Sequence, residues 1–147
     1  MPALWISLGC ILFLLLIFFI TAYICFRLTF YIREADKRPK EEFDIPPGEE
    51  FKAHREDMIA WIKTVRALPH EELFITSFDA LRLRARFFDT GEGTPIEIML
   101  HGYRGNADRD LSGGVVRARA LGHSVLLVDH RAAGESEGNV ITFGVLE

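Results

Sequence analysis

The chain has 147 residues, a formal net charge of −4 at pH 7 and a charged fraction of 26%. Its acidic excess lies beyond Lys40, and an acidic soluble region disfavours nucleic-acid binding. The two cysteines, Cys10 and Cys25, lie in the apolar N-terminal stretch, which excludes a disulfide scaffold and a thiolate metal site from the remainder. The five histidines are scattered without ligand spacing, so neither a metal nor a cofactor is expected.

The first 26 residues contain no charged side chain. At about 1.5 Å per residue, the apolar run over residues 6–26 is long enough to cross a hydrocarbon layer of roughly 30 Å. A cleaved signal peptide would have a basic start, a shorter apolar core and a small-x-small cleavage site, and the stretch has none of these. The sequence predicts a transmembrane helix within residues 1–26, with residues 4–26 in contact with the lipid bilayer.

Basic residues follow this span and none precedes it: Arg27, Arg33, Lys37, Arg38 and Lys40. The positive-inside rule then predicts a single-pass membrane protein whose N-terminus lies outside and whose soluble part is cytoplasmic. Residues 27–48 are interpreted as a basic juxtamembrane segment and a proline-rich linker, of which residues 39–48 should be extended and exposed.

An amphipathic helix is predicted over residues 49–68, because four apolar residues recur at spacings of seven, four and three and form a packing face: Phe51, Met58, Ile62 and Val65. Pro69 should end it. Two strands follow at residues 73–78 and 81–88, joined as a hairpin through Asp79 and Ala80. The second strand alternates apolar side chains with Arg82, Arg84 and Arg86, which predicts one apolar face and one solvated basic face.

Residues 96–100 and 124–129 are short apolar runs joined by a helix-length segment that ends near Leu121 and Gly122. This pattern predicts a βαβ unit with two buried parallel strands. Ligands of such sheets bind beyond the carboxyl ends of the strands, where residues 101–105 and 129–138 lie. A strand that ends in His101 and Gly102 can aim backbone N–H groups at one point, which suits an oxyanion or a phosphate.

Three stretches carry a resemblance to a known family: His101-Gly102-Tyr103, residues 129–136 (Asp-His-Arg-Ala-Ala-Gly-Glu-Ser), and the lead-in at residues 69–72 and 75–79. Together they resemble the α/β-hydrolase superfamily, in particular its membrane-anchored bacterial serine hydrolases of the lysophospholipase-like kind. The resemblance covers roughly residues 49–147. It implies that the Tyr103 backbone N–H is one donor of an oxyanion hole, with His101 and Gly102 shaping the loop.

In that family the loop after the fourth strand is mainly a structural turn. The resemblance therefore implies that Asp129 and Arg131 are partners that order the loop and take no part in catalysis. Ala132 stands where the family pattern usually has glycine, so the resemblance implies the role of this loop and not its exact backbone conformation.

The expected fold is α/β: an N-terminal transmembrane helix followed by the first strands of an α/β-hydrolase sheet, a β-hairpin plus a βαβ unit. Residues 49–147 would form the N-terminal part of the hydrolase domain. The family's triad runs Ser, then Asp or Glu, then His, all beyond the fourth strand. We therefore expect a truncated serine hydrolase for ester or amide bonds that lacks nucleophile, acid and histidine and is inactive alone.

Residues 134–138 match Gly-x-Ser-x-Gly literally, but Ser136 is not expected to be a nucleophile. A nucleophile elbow needs its serine at a sharp turn directly between a strand and a helix. The predicted strand ends at Asp129, and no helix can begin until after Thr142.

Two other classes remain open. A dinucleotide-binding βαβ domain would share the strand, glycine turn and helix, although residues 102–105 lack the Gly-x-Gly-x-x-Gly spacing. The second is a non-catalytic, membrane-tethered interaction module built on the same half-domain.

Overall fold

A computed structural model describes residues 2–37, 41–46 and 48–146. The chain divides into two compact units, Met1–Tyr31 and Ile32–Glu147. The first unit is a single helix, α1 (Pro2–Thr29). By length and composition, Trp5–Thr29 could cross a membrane, although a signal sequence near an N-terminus would meet the same criteria. The subdivision into residues 1–26, 27–48 and 49–147 stays a prediction.

The second unit begins with two short helices, α2 (Glu34–Lys37) and α3 (Glu49–Lys52), and then α4 (Arg55–Ala67). The predicted continuous helix over residues 49–68 is therefore wrong at Ala53 and His54, which separate α3 from α4. Ala53 keeps helical dihedral angles (φ −64°, ψ −25°), and His54 departs from them (φ −107°, ψ 8°). Ile62 and Val65 are buried as expected. Leu68 is extended, as a residue before proline prefers, so the predicted helix end is confirmed.

Four strands form one mixed sheet: β1 (Glu71–Thr76), β2 (Arg82–Phe88), β3 (Ile96–Leu100) and β4 (Ser124–Val128). Their order is β1-β2-β4-β3, in which β2 pairs antiparallel with both β1 and β4, and β3 pairs parallel with β4. Helix α5 (Ala107–Ala120) connects β3 to β4. The predicted α/β class, an N-terminal apolar helix followed by a hairpin and a βαβ unit, is confirmed.

The core lies between the sheet and helices α4 and α5. Its buried members come from all of these elements: Val65, Phe88, Met99, Ala107, Val115, Ala118, Val125 and Leu127. Full burial of a Val, Leu, Phe or Met side chain contributes about 1.5–3 kcal/mol, so this layer stabilises the second unit.

The prediction that β3 is a buried strand is wrong for three of its five residues. Ile96, Ile98 and Leu100 are 59%, 66% and 56% exposed, whereas Met99 is buried. Successive side chains of a strand point to opposite faces, and the helices of the second unit cover only the face that carries Met99. The other face of β3 remains a row of exposed apolar side chains.

The hairpin turn also differs from the prediction of a two-residue connection. The Ser77 N–H donates to the Leu81 carbonyl at 2.8 Å, so residues 78–80 form a three-residue loop. Ala80 has φ 66°, a left-handed conformation that glycine adopts more easily. The longer loop therefore still places alanine in a conformation that glycine would adopt more easily.

The arginine row of β2 is not the solvated face that the alternation predicted. Only Arg82 is exposed, whereas Arg84 and Arg86 are half-buried and buried on the face that also carries Phe88. Arg86 is buried and bonds the Asp108 carboxylate on α5. Arg84 is largely buried and forms an ion pair with Glu72. Arg86 therefore links β2 to helix α5, and Arg84 links β2 to its neighbour β1.

The predicted exposed linker is also wrong over residues 43–46, which are half-buried. The Arg66 guanidinium donates to the Glu42 carbonyl at 2.8 Å, and Phe43 lies beside Lys63 and Arg66 of α4. We call residues 41–46 the strap. The linker residues Pro39, Lys40 and Pro47 lie outside the described residues.

Candidate active site

The loops that follow β3 and β4 are joined through the ring of His101. His101 is 8% exposed, and its Nε2 accepts a hydrogen bond from the His130 backbone N–H at 3.2 Å. Because Nε2 is the acceptor, Nδ1 carries the proton and donates to the Gly102 carbonyl at 2.9 Å. The His130 ring packs edge-on at a centroid distance of 4.6 Å. His101 thus fixes both loops at the carboxyl end of the sheet.

A tight turn follows His101. The Gly105 N–H donates to the Gly102 carbonyl at 3.0 Å, and Arg104 adopts a left-handed conformation with φ 52°. A Cβ on Gly105 would lie 1.8 Å from Asp110 Oδ2 and 3.0 Å from the Gly102 carbonyl oxygen. A side chain here would therefore displace the Asp110 carboxylate and crowd the Gly102 carbonyl. Tyr103, half-exposed at the turn, stacks its ring on Phe143 at 5.6 Å.

Helix α5 begins directly after this turn. The Asn106 side chain caps the helix by accepting the Arg109 N–H at 2.8 Å, and Asp108 and Asp110 lie in the first helical turn. These carboxylates complement the positive end of the helix dipole. An N-cap asparagine followed by two aspartates in the first turn is a sequence pattern typical of a helix start, and it could have predicted where α5 begins.

The three residues predicted for the site, His101, Gly102 and Tyr103, lie together at the carboxyl end of β3. The structure brings the loop after β4 to the same edge, as the parallel pairing of β3 and β4 requires. The role of the Tyr103 N–H in an oxyanion hole stays a prediction. The contact of Asp44 in the strap with Asn106 and Arg109 at the start of α5 was not predicted, because local sequence carries no signal for it.

Asp129 and the residues around it hold the loop after β4 against β2. The Asp129 carboxylate is buried and lies 3.4 Å from both an Arg84 guanidinium nitrogen and the Glu135 backbone N–H. Burial raises the pKa of Asp129, against the lowering effect of the Glu135 N–H and the nearby arginines. The carboxylate orders the loop as expected, and its partners are on β2 and within the loop.

Ser136 has a structural position. It is 2% exposed, its hydroxyl donates to the Asp129 carbonyl at 2.6 Å, and it accepts the Arg84 backbone N–H at 2.9 Å. The hydroxyl therefore continues the hydrogen bonding of the sheet edge beyond β4. These contacts agree with the exclusion of Ser136 as a nucleophile.

Arg131 connects the same loop to the β1–β2 hairpin. Its guanidinium binds the two carboxylate oxygens of Asp79 at 2.7 and 2.8 Å. Arg131 and Asp129 were expected to act as loop-ordering partners. Arg131 does so by binding Asp79, and Asp129 does so by accepting from Arg84 and the Glu135 N–H. Ala132, at the family's usual glycine position, is left-handed with φ 62°, so the alanine keeps the backbone conformation that glycine favours.

The pH dependence of stability should reflect two opposing groups. Hydrogen bonds from Arg131 and Ser77 hold the pKa of Asp79 well below its usual range, so its contribution is present above the unfolded value of about 4 and is lost as the pH falls below it. Asp129, with a raised pKa, favours folding more as it becomes protonated. As the pH falls from 5 to 3, we expect the urea midpoint of Asp79→Asn to fall less steeply than that of the wild type, because the variant has no Asp79 charge to lose. The midpoint of Asp129→Asn should fall more steeply than that of the wild type, because the variant gains nothing from protonation at this position. Parallel curves for all three proteins would contradict this.

No cluster of three or more histidine, cysteine, aspartate or glutamate side chains suited to a metal occurs among residues 2–37, 41–46 and 48–146.

No protein-family profile matches the sequence. Among solved structures, the Pyrococcus furiosus esterase Pf2001 in space group P212121 is 22% identical with a TM-score of 0.48, over 78% of this chain and 37% of that chain. The same esterase in space group P21 gives 23% identity and 0.46, over 69% and 35%. The complex of DcsB with its substrate analogue gives 21% and 0.44, over 48% and 24%. The chain spans between 24% and 37% of the length of these structures.

Proposed function

We propose that the chain is the N-terminal part of a membrane-anchored serine hydrolase that cleaves ester or amide bonds by nucleophilic acyl transfer. In this proposal α1 anchors the protein through residues 4–26, and the second unit is cytoplasmic. The observation that carries the proposal is the turn over residues 102–105, which directly follows β3 and is locked by the His101 ring to the loop after β4.

The chemistry assigned to the turn is stabilisation of negative charge on the substrate carbonyl. As a nucleophile attacks, the carbonyl oxygen becomes an oxyanion, and the Tyr103 backbone N–H donates to it. A preorganised donor of this kind contributes about 10²–10³ in rate. His101 and Gly102 hold the loop in place. The nucleophile, its acid and base partners and the second donor belong to the chain that follows β4 in a complete enzyme, so the 147 residues are inactive alone.

Charge around α5 argues against the dinucleotide-binding alternative. A pyrophosphate would bind at the helix N-terminus, but Asp108 and Asp110 occupy its first turn, and the Asp44 carboxylate lies 3.0 Å from the capping Asn106 Nδ2. Each of these carboxylates is ion-paired with an arginine, so a pyrophosphate would have to compete with them for the same positive groups. An acyl ester carries no such charge at its carbonyl and does not depend on that competition.

The interaction-module alternative is favoured by a different observation, the exposed apolar row of Ile96, Ile98 and Leu100 on β3. Soluble proteins rarely leave a contiguous apolar surface uncovered. In the hydrolase proposal, further chain covers this row; in the alternative, a separate protein does.

A fluorophosphonate probe, which reacts with activated serines, tests the proposal. Antibodies against residues 49–147 would isolate the native protein from membranes of its source, and its mass would be measured. We expect a mass above the 16.7 kDa of this chain and covalent labelling of one serine. We expect no labelling of the recombinant 147-residue chain.

The native protein and the recombinant chain give separate outcomes. A native protein of 16.7 kDa that the probe does not label would overturn the hydrolase proposal and favour the interaction module. Labelling of the recombinant chain, lost in Ser136→Ala, would overturn both the exclusion of Ser136 and the idea that the active site is incomplete.

A further inference from the structure

The strap (residues 41–46) contacts α4 and the start of α5, the helix that follows the turn over residues 102–105. Its N-terminal half contacts α4, where Arg66 donates to the Glu42 carbonyl and Phe43 lies beside the Lys63 ammonium. Its C-terminal half reaches the start of α5. The strap therefore spans the two helices of the layer that covers the sheet.

Asp44 is the strap residue that reaches α5. One of its carboxylate oxygens, Oδ2, accepts from Asn106 Nδ2 at 3.0 Å and from an Arg109 guanidinium nitrogen at 3.4 Å. Asn106 in turn caps α5 through its other amide atom. The carboxylate thus orients two side chains of the first turn of α5, and both of these contacts are to donors.

Arg109 carries this contact to the turn after β3. Its second guanidinium nitrogen donates to the Arg104 carbonyl at 3.2 Å, and its Nε donates to Asp110 Oδ1 at 2.7 Å. Asp110 Oδ2 packs closely on Gly105. The Arg109 side chain is only 18% exposed, so its contacts with Asp44, Arg104 and Asp110 are formed in a partly desolvated site where charge-assisted hydrogen bonds are strong.

We propose that Asp44 is a positioning residue: by holding Arg109, it fixes the Arg104 carbonyl and keeps Arg104 in its left-handed conformation within the turn over residues 102–105. Arg104 at φ 52° is strained for a residue with a side chain, so the turn needs contacts that hold it. The catalytic consequence rests on the proposed function, because the turn contains the Tyr103 N–H. A donor displaced by about 0.5 Å or 10–20° is no longer preorganised.

Amide hydrogen exchange in the full 147-residue chain, reconstituted in lipid nanodiscs, tests the positioning role without any activity. We expect Asp44→Ala to make the amides of residues 102–105 exchange roughly tenfold faster, because the contact that stabilises the closed turn is lost. The amides of β1 and β4 should exchange at the wild-type rate. Glu49→Ala is the matched control: it removes a carboxylate from an exposed pair with Lys52 and should leave residues 102–105 unchanged.

Arg109→Gln and the double variant test whether Asp44 acts through Arg109. We expect Arg109→Gln to accelerate exchange at the turn, and Asp44→Ala combined with Arg109→Gln to accelerate it no further. Additive effects, an unchanged turn in Asp44→Ala, or faster exchange across the whole sheet would each overturn the proposal.

A complete, probe-reactive form of the protein would separate the positioning role from the proposed function. There we expect Asp44→Ala to lower kcat at least tenfold with KM within about twofold, since the turn acts on the transition state. If no complete form reacts with the probe, the hydrolase proposal fails, and the exchange experiment still decides the positioning role.

Discussion

Asp108→Asn should lower the free energy of unfolding by about 3 kcal/mol, because removing one partner of a buried ion pair leaves the other charge uncompensated. Asp108 binds both Arg86 of β2 and, at 2.9 Å, Arg66 of α4. Burial alone would raise its pKa, but the two arginines outweigh burial and hold the pKa below the ordinary value. Asparagine keeps the shape but loses the charge that compensates the buried Arg86 guanidinium.

Urea unfolding in nanodiscs, followed by Trp61 fluorescence in a Trp5→Phe background, measures this loss. Trp61 lies on α4 against Gly113 of α5, so it reports on the helices that Asp108 joins to the sheet. Glu49→Gln, which neutralises an exposed pair, should change stability by no more than about 0.5 kcal/mol. If Asp108→Asn lowered the free energy of unfolding no more than Glu49→Gln does, the ion pair of Asp108 with Arg86 would not stabilise the fold.

Gly134→Ala should also destabilise the protein by about 3 kcal/mol, the sum of backbone strain of about 1–2 kcal/mol and overpacking of about 1–3 kcal/mol. Gly134 has φ 53°, and an added Cβ would lie 2.5 Å from the carboxyl carbon of Asp129. That carboxylate is buried and held by the Glu135 N–H and Arg84. It cannot move aside without breaking the loop after β4.

Gly122→Ala separates the two causes. Gly122 has a similar left-handed φ of 77°, but an added Cβ meets no atom within 4 Å. The same urea measurement should therefore show only the strain, about 1–2 kcal/mol. If Gly134→Ala costs no more than Gly122→Ala, the crowding against Asp129 does not contribute to stability.

The types and the order of the helices and strands were predictable because they depend on hydrophobic patterns among residues close together in the sequence. Short apolar runs predicted the strands, one long apolar run predicted the N-terminal helix, and Pro69 predicted the end of α4. The βαβ unit followed from two short apolar runs separated by a helix-length segment. Its parallel pairing then placed His101 and the loop after β4 at one edge of the sheet.

Side-chain environments were not predictable from the same patterns. Arg86 and Ile98 illustrate the reason: alternation shows that two faces exist, but which face the helices cover depends on how α4 and α5 pack. Arg86, which looked solvated, is buried and bonded to Asp108 of α5, whereas Ile98, which looked buried, is exposed. Burial is a property of the assembled layers and not of one strand.

By itself, the sequence determined the apolar N-terminal helix, the order of the hairpin and the βαβ unit, and the position of His101, Gly102 and Tyr103 at the end of a strand. These features depend on hydrophobic period and on residues adjacent in the chain. Only the tertiary structure decided that Asp44, about sixty residues earlier in the chain, contacts the helix after the turn, and that the Ser136 hydroxyl is bonded to Asp129 and Arg84. Such contacts join distant residues, and they arise only when the chain has packed.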